Sequence, residues 1–375
     1  MVITRNFLYH MSSPKKKILL PYSTHFKASV EDGKGKVITG GIEKFCFDLE
    51  QNIDEIIPVE ITQEDKEGRN TKKRIEEAII KHEPDAIMFN NPWWAKMMIS
   101  FNVRLICIMH EPLVRDIRMI ELGNLLKSLQ DKGCHLYFVS PVQLKYHRAM
   151  SKRLQGVELK DPHGFIRPSF LSETNVVSED FEYDCATIGR NDTEKAPFLL
   201  HEKLKGSDLI SLVMTNDGEY KSESLNAYVE KNKKWKYPRE TIRGLPHNEV
   251  MSNLSKAKVF VSTWPKESWG ITAMEALGKG IPTILFTDDT GTHASEIVAA
   301  SDQHITKIRR TCSPEEFQTT VQTLIQSTDN EKRKEISRMT KDKHSIDSWK
   351  SHIHDIIEKR MADDTGRNSL EHLFS

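Results

Sequence analysis

The sequence predicts an α/β protein built from two Rossmann-like domains, each with a parallel sheet. Three observations lead to this fold class. The length of 375 residues exceeds what one ordinary core requires and suits two domains. Short, almost wholly apolar segments alternate with amphipathic helical segments, which is typical of a parallel sheet covered on both faces. The alternation occurs twice, on either side of a stretch rich in Pro, Ser, Thr and Asn at residues 160–182, which we interpret as an interdomain linker.

The first series of strands and helices lies within residues 1–165, after a loose leader at residues 1–13. Its predicted strands are short apolar runs that end at turn-forming residues: 15–22, 85–90, 103–109 and 136–140. Its predicted helices have apolar side chains at helical spacing: 42–52, 74–82, 92–100 and 141–153.

The second series lies within residues 166–345. Its predicted strands are again mostly apolar: 184–190, 209–216, 241–245, 258–264 and 281–287. Helices are expected between them, and a further amphipathic helix covers residues 345–359. The tail, residues 363–375, is polar and is expected to be disordered.

The composition narrows the class of protein. Lys plus Arg and Asp plus Glu both number 54, so net charge does not favour general nucleic-acid binding. The five cysteines include no C-x-x-C pair, and so predict neither a zinc site nor a disulfide framework. We find no signal-peptide pattern and no apolar run long enough to span a bilayer. We therefore expect a cytoplasmic protein, in the host cytoplasm if a phage encodes it, and leave its oligomeric state open.

Residues 266–283, KESWGITAMEALGKGIPT, form the most informative segment. Glu267 follows an apolar strand, and Glu275 lies seven intervening residues later on a predicted helix, 271–277. Ligands of open α/β sheets bind beyond the carboxyl ends of the strands, and a helix N-terminus there offers N–H groups to an anion. The pattern predicts a phosphate flanked by two carboxylates that accept hydrogen bonds from sugar and ribose hydroxyls. A solvated helix face is the alternative for a bare pair of glutamates, but this context favours the site.

The segment resembles the E-x7-E signature of retaining GT-B glycosyltransferases, and the resemblance covers most of the chain. It implies the GT-B fold, in which two Rossmann-like domains face each other across a cleft. It also implies transfer of a hexosyl or pentosyl group from a nucleotide sugar, most commonly a UDP-sugar. Glu267 would contact the donor sugar and Glu275 the ribose. The backbone of Trp269, Gly270 and Ile271 would lie near the sugar and the diphosphate.

Three further segments match this family in order. IGRNDTEK resembles its diphosphate clamp, here Gly189, Arg190 and Lys195. Two cations on a diphosphate can neutralise the leaving group without a metal ion, so no metal or other cofactor is expected. The alternative is an Arg and a Lys in a surface turn.

The other two matches belong to the first domain. Gly40 and Gly41, which precede a helix, resemble the glycine loop that approaches the donor phosphate and the acceptor. His110 ends the strand 103–109, where the family commonly has a histidine that contacts the donor sugar. The residues after it, Glu111 and Pro112, depart from the family pattern. A turn and a structural histidine are the alternatives.

Two more segments resemble the family in fold. Residues 247–264 resemble the helix and strand that precede the glutamate motif. The helix at 346–362, which contains Trp349, resembles the C-terminal helix that crosses back to the first domain. The resemblance implies an acceptor-side domain at 1–165 and a nucleotide-sugar-binding domain at 166–345.

Residues 40–51, 187–195 with 199–204, and 247–258 also resemble the DNA α-glucosyltransferases of T-even phages. Those enzymes glucosylate 5-hydroxymethylcytosine in duplex DNA, so the resemblance implies double-stranded DNA as a partner. A base that enters an enzyme pocket must leave the stack.

The charge distribution is compatible with that partner. Residues 90–165 contain more Lys and Arg than Asp and Glu, and six cations could line one rim of the cleft: Arg115, Arg118, Lys145, Arg148, Lys152 and Arg153. Residues 231–239, KNKKWKYPR, interleave cations with Trp235 and Tyr237, which suits a phosphate backbone with stacked bases. A solvated basic helix end is the alternative. Trp93 and Trp94 could stack on a base or a sugar, or lie in the core.

Other functions remain to be weighed. The acceptor could be a cell-envelope glycan, a lipid or a small molecule, although we find no amphipathic membrane-binding helix. The fold could also host a sugar-nucleotide epimerase or an inactive binding module. The signature is typical of transfer, which disfavours the epimerase. The combination of Glu267 and Glu275 with Arg190 and Lys195 disfavours the inactive module. Glucose and arabinose are both compatible with the sequence.

Overall fold

A computed structural model provides the structure of the protein. It describes residues 16–23, 41–62, 65, 70–110, 119–168, 171, 177–190, 195–215, 239–243, 245, 247–289, 291 and 293–362. Several predictions fall outside the described residues: those for Gly40, Glu111, Pro112, Arg115, Arg118, residues 231–238, the leader and the tail.

The first domain contains a sheet of six parallel strands in the order β2-β1-β3-β4-β5-β6. The strands are β1 (Ile18–Ser23), β2 (Ile56–Ile61), β3 (Ala86–Phe89), β4 (Arg104–Met109), β5 (His135–Phe138) and β6 (Gly164–Phe165). All four residues of β3 and of β5 are buried, as expected for strands with helices on both faces.

The described residues between these strands form five helices: α1 (Gly41–Asn52), α2 (Thr71–His82), α3 (Ala95–Met98), α4 (Met119–Asp131) and α5 (Pro141–Gln155). The boundaries of α5 follow from its sequence. The side chain of Ser140 accepts a hydrogen bond from the Gln143 N–H, and Pro141 occupies the first turn. Gly156 ends the helix with a φ of 64°, a conformation that favours glycine.

The second domain also contains six parallel strands, in the order β12-β11-β10-β7-β8-β9. They are β7 (Tyr183–Ile188), β8 (Ser211–Thr215), β9 (Arg239–Arg243), β10 (Ala257–Ser262), β11 (Thr283–Thr287) and β12 (Ile305–Arg309). The associated helices are α6 (Leu199–Lys203), α7 (His247–Ser255), α8 (Ile271–Gly278), α9 (Pro314–Ser327) and α10 (Asn330–Lys343). The two parallel-sheet domains confirm the predicted fold class.

A last helix, α11 (Ile346–Ala362), contacts the first domain. Lys16, just before β1, forms an ion pair of 2.5 Å with Glu358. The Trp349 indole N–H donates to the Arg167 carbonyl over 3.0 Å, and the ring meets Phe45 of α1 edge to face. Trp349 is fully buried, so α11 joins the core that the two domains share.

The structure differs from the predicted elements at several points. Strand β2 was not predicted because Pro58 interrupts its apolar pattern, but β2 is an edge strand, where proline is tolerated. The predicted linker contains β6, which pairs with β5. The predicted helix 92–100 is a 3-10 turn, Pro92–Trp94, followed by the short α3. None of the helices in the described ranges is both long and apolar enough to cross a membrane.

Candidate functional site

The second sheet has one point at which its strand order reverses. The chain enters at β7 in the middle, continues outward through β8 and β9, and returns to the other side of β7 with β10. In such sheets, ligands bind in the crevice at the carboxyl ends of the two strands flanking this switch point. Gly189 and Arg190 follow β7 directly, and residues 263–270 follow β10. The Thr263 hydroxyl donates to the Lys195 carbonyl over 2.6 Å, which holds Lys195 beside the end of β10.

A Lys195–Glu267 ion pair occupies this crevice. The Lys195 ammonium contacts the Glu267 carboxylate, and the two side chains are only 19% and 20% exposed. The structure thus brings together residues from two separate sequence motifs. Gly189 lies close beneath Lys195: a Cβ at that glycine would lie 3.2 Å from the Lys195 Cβ. Ala196 follows with a φ of 40°, which is uncommon for a residue other than glycine.

Gly270 determines how α8 begins. Its φ is 96°, in the region that favours glycine, and its packing leaves no room for a side chain, because an added Cβ would overlap the Ser295 hydroxyl. Among the residues that the structure describes, no side chain caps the first turn. The first N–H groups of a helix lack partners within the helix, so this end of α8 can bind an anion.

Glu275 lies on α8, and its side chain is only 9% exposed. Its Oε1 atom lies 3.2 Å from Nε2 of His247, the first residue of α7. The Glu275 carboxylate raises the pKa of His247, and Asp48 of α1 acts in the same direction while burial and Lys44 oppose it. His247 was not among the predicted site residues. Only its position at the start of the segment 247–258 could have indicated it.

His110 of the first domain contacts the glutamate motif of the second domain. It follows β4, and its carbonyl accepts a hydrogen bond from the Ser268 hydroxyl over 3.4 Å. The side chain is buried, and its Nε2 atom has no hydrogen-bond partner among the described residues. Burial lowers the pKa of His110 to about 3, so the imidazole is neutral near pH 7. A neutral ring beside the glutamate motif can exchange a hydrogen bond with a bound hydroxyl.

His293 is a second histidine that the sequence reading missed. Its Nδ1 atom accepts the Ser295 N–H over 3.0 Å, so Nε2 carries the proton and donates to the Ser262 hydroxyl at 3.1 Å. Burial lowers the pKa of His293 to about 3, and Lys195 adds to this effect. The ring therefore fixes Ser295 against Gly270. The signal available in the sequence was Glu296, which completes a capping box with His293.

The other predicted donor-site residues among those described belong to both domains. Arg190 is exposed and follows β7. Trp269 is buried and its ring meets His344 edge to face at 6.0 Å, which leaves its backbone for the site. Ile271 opens α8 and packs against the shared core. Gly41 is the first residue of α1 in the other domain.

The basic residues of α5 were expected to line one rim of the cleft. The helix starts beside the carboxyl end of β5 and runs away from it, so Arg148 to Arg153 lie roughly 10–18 Å from its first residue at 1.5 Å per residue. Arg148 pairs with Asp161 at 2.6 Å and Lys152 with Glu158 at 2.9 Å. The direction of the helix and these ion pairs do not favour a rim of cations at the cleft, which stays a prediction. Trp93 and Trp94 are half-buried and pack against the core of the first domain.

In the part of the chain that the structure describes, no group of three or more His, Cys, Asp or Glu side chains is arranged to hold a metal ion.

Comparison with known proteins gives matches in structure but not in sequence. No family model matches the sequence, and no curated protein does. Sucrose-phosphate synthase from Thermosynechococcus elongatus superposes with a TM-score of 0.66 at 10% identity, over 92% of this chain and 98% of that one. Anabaena HepE in complex with UDP-glucose superposes with a TM-score of 0.60 at 12% identity, over 92% of this chain and 99% of that one. WaaG, a glycosyltransferase involved in lipopolysaccharide biosynthesis, superposes with a TM-score of 0.58 at 12% identity, over 92% of this chain and 100% of that one. The chain therefore has the GT-B fold.

Proposed function

We propose that the protein is a glycosyltransferase that takes its sugar from a UDP-sugar bound at the switch point of the second sheet. One observation carries the proposal: the Lys195–Glu267 pair and Glu275 flank the uncapped start of α8. The GT-B fold supports it, since HepE, which has this fold, binds UDP-glucose. The two glutamates, the cation and the helix end together match a sugar, a ribose and the diphosphate between them.

Each part of the UDP-sugar then has its own binding residues in the donor site. The diphosphate lies at the start of α8, where Lys195 and Arg190 neutralise its charge. Glu275 accepts hydrogen bonds from the ribose hydroxyls. Glu267 accepts hydrogen bonds from the hydroxyls of the donor sugar. The first domain contributes the uncharged imidazole ring of His110. Gly270 allows the diphosphate to approach the backbone.

The reaction we propose retains the configuration of the donor. The bond between the anomeric carbon and the β-phosphate oxygen breaks, and UDP leaves with the electron pair. The acceptor oxygen bonds to the same face of that carbon, and the departing phosphate takes the acceptor proton. Lys195 and Arg190 stabilise the negative charge that grows on the leaving group, where preorganised cations contribute most. The E-x7-E motif supports retention.

For the acceptor we propose 5-hydroxymethylcytosine in double-stranded DNA. Its support is the likeness of residues 40–51, 187–195 with 199–204, and 247–258 to the phage DNA glucosyltransferases. The paired cations of α5 lend no support, so the contacts to DNA are expected from other residues of the cleft.

A screen of nucleotide sugars, with and without hydroxymethylcytosine-containing DNA, tests both proposals. We expect turnover of a UDP-sugar, and NMR of the product should find an α-linkage from a UDP-α-sugar. An inverted product would contradict the mechanism. Full activity on a glycan with none on the modified DNA would contradict the acceptor and leave the glycosyltransferase proposal standing.

We also expect transfer to continue in EDTA, because two side-chain cations and a helix end neutralise the diphosphate without a metal ion. With excess EDTA, the rate of transfer should lie within about twofold of the rate without EDTA. If a metal ion neutralised the diphosphate, its removal would lower the rate by far more. The assay compares initial rates with EDTA alone and with EDTA plus excess manganese. Complete loss in EDTA with recovery in manganese would contradict the metal-free clamp.

A further inference from the structure

His247 contacts the buried carboxylate of Glu275. Its Nε2 atom lies 3.2 Å from Glu275, and 51% of its side chain is exposed, against 9% for Glu275. The charges of Lys44 and Asp48 of α1 have smaller effects on the pKa of His247. These two residues form an ion pair of 2.6 Å, so their charges largely offset each other. Glu275 therefore dominates the electrostatic environment of His247.

The Glu275 carboxylate requires this partner. A buried carboxylate is unfavourable unless it is hydrogen-bonded or paired with a cation. His247 supplies such a hydrogen bond, and Lys279, which caps the end of α8, adds positive charge. A carboxylate has about four lone-pair positions, so ribose hydroxyls can bind Glu275 while His247 remains in place.

We propose that His247 is a positioning residue of the donor site, which holds Glu275 for the ribose and favours the anionic donor by its positive charge. This inference rests on the proposed function. The imidazole N–H fixes the orientation of the carboxylate. The imidazolium also offsets the charge that a diphosphate brings into the crevice, so protonation of His247 and donor binding favour each other.

The sign of the pH dependence follows from this coupling. Glu275 already raises the pKa of His247 in the free protein, and a bound diphosphate raises it further. Donor binding therefore takes up protons, and donor affinity is highest below this pKa and decreases as the pH increases through it. Burial lowers the pKa of both His110 and His293 to about 3, so neither titrates in this range.

Calorimetric titration with UDP-glucose at about pH 6 and about pH 8.5 tests the inference. This probe suits the purpose because both its phosphates are esterified and carry no proton near neutral pH. For the wild type we expect the affinity to decrease about fivefold between the two pH values. His247→Gln should bind more weakly at the lower pH and lose the pH dependence. In turnover assays it should raise KM with kcat little changed, as expected for a residue that affects binding alone.

His354→Gln is the matched control. His354 on α11 faces Glu55 at 3.8 Å and is 47% exposed. Like His247, it is a half-exposed histidine near a glutamate, but it lies away from the crevice. Its variant should retain both the affinity and the pH dependence of the wild type. A separate NMR titration of the wild-type protein should find that UDP-glucose raises the pKa of His247. This measurement decides the question if His247→Gln does not fold.

The outcomes separate the two proposals. UDP-glucose binding that is independent of pH, that tightens as pH rises, or that keeps its pH dependence in folded His247→Gln would overturn the role of His247 alone. The absence of any nucleotide-sugar binding by the wild type would overturn the proposed function and this inference with it.

Discussion

Replacing Lys195 by methionine is expected to lower kcat for sugar transfer about a thousandfold, the usual loss when a preorganised group that stabilises transition-state charge is removed. The substitution keeps the length of the side chain and removes the ammonium that contacts Glu267. It leaves Glu267 unpaired in a crevice where only 20% of that side chain is exposed, so the carboxylate then repels the diphosphate as well. Initial rates at saturating donor measure the effect.

Lys258→Met provides the matched control for this prediction. Lys258 also pairs with an acidic side chain, Asp184 at 2.8 Å, but lies at the amino end of β10, away from the crevice. We expect its activity to remain within about twofold of the wild type, as for a substitution that touches no bound substrate. A folded Lys195→Met protein with a kcat within tenfold of the wild type would contradict the assignment of Lys195.

Gly270→Ala is expected to lower the free energy of unfolding by about 2–4 kcal/mol and to remove most activity. Alanine at a φ of 96° is strained, and its Cβ would overlap the Ser295 hydroxyl and lie 2.5 Å from the Ser295 Cβ. The start of α8 must then move, and with it the N–H groups that we assign to the diphosphate. Denaturant unfolding and initial rates measure the two effects.

Two variants separate strain from overlap. Gly291→Ala carries a similar backbone strain, with a φ of 75°, but an added Cβ meets no atom of the described residues within 4 Å, so we expect a loss of only about 1 kcal/mol. The double variant Gly270→Ala with Ser295→Gly removes the overlapping atoms and should recover part of the lost stability. No difference in stability between Gly270→Ala and Gly291→Ala would contradict the packing argument.

Much of the fold follows from the sequence because its central strands are buried on both faces. Segments such as 103–109 and 281–287 are nearly continuous apolar runs, so their strands were predicted to within two residues at either end. The edge strands have shorter or interrupted apolar runs. Strand β2 contains Pro58, and β12, ITKIR, has only one buried residue, so neither was predicted.

The site was partly predictable for a related reason. Glu267, Gly270 and Glu275 lie within one short segment whose strand, turn and helix can be recognised together. The residues that support them come from distant segments: His247 lies on another helix, and His293 follows a different strand. Their contacts depend on packing, which local patterns do not encode. The predicted rim on α5 rests on charge alone, and the charge of a segment does not specify the direction in which its helix runs.

The central claim is that Glu275 binds the ribose of a nucleotide sugar at the switch point of the second sheet. Calorimetric titration of folded Glu275→Ala with the UDP-sugar that the wild type turns over tests this claim most directly. Glu55→Ala, which removes a half-buried glutamate that faces His354, is the control. We predict that Glu275→Ala loses at least about a hundredfold in affinity, equivalent to about 3 kcal/mol, while Glu55→Ala binds like the wild type. An unchanged donor affinity in folded Glu275→Ala would contradict the account.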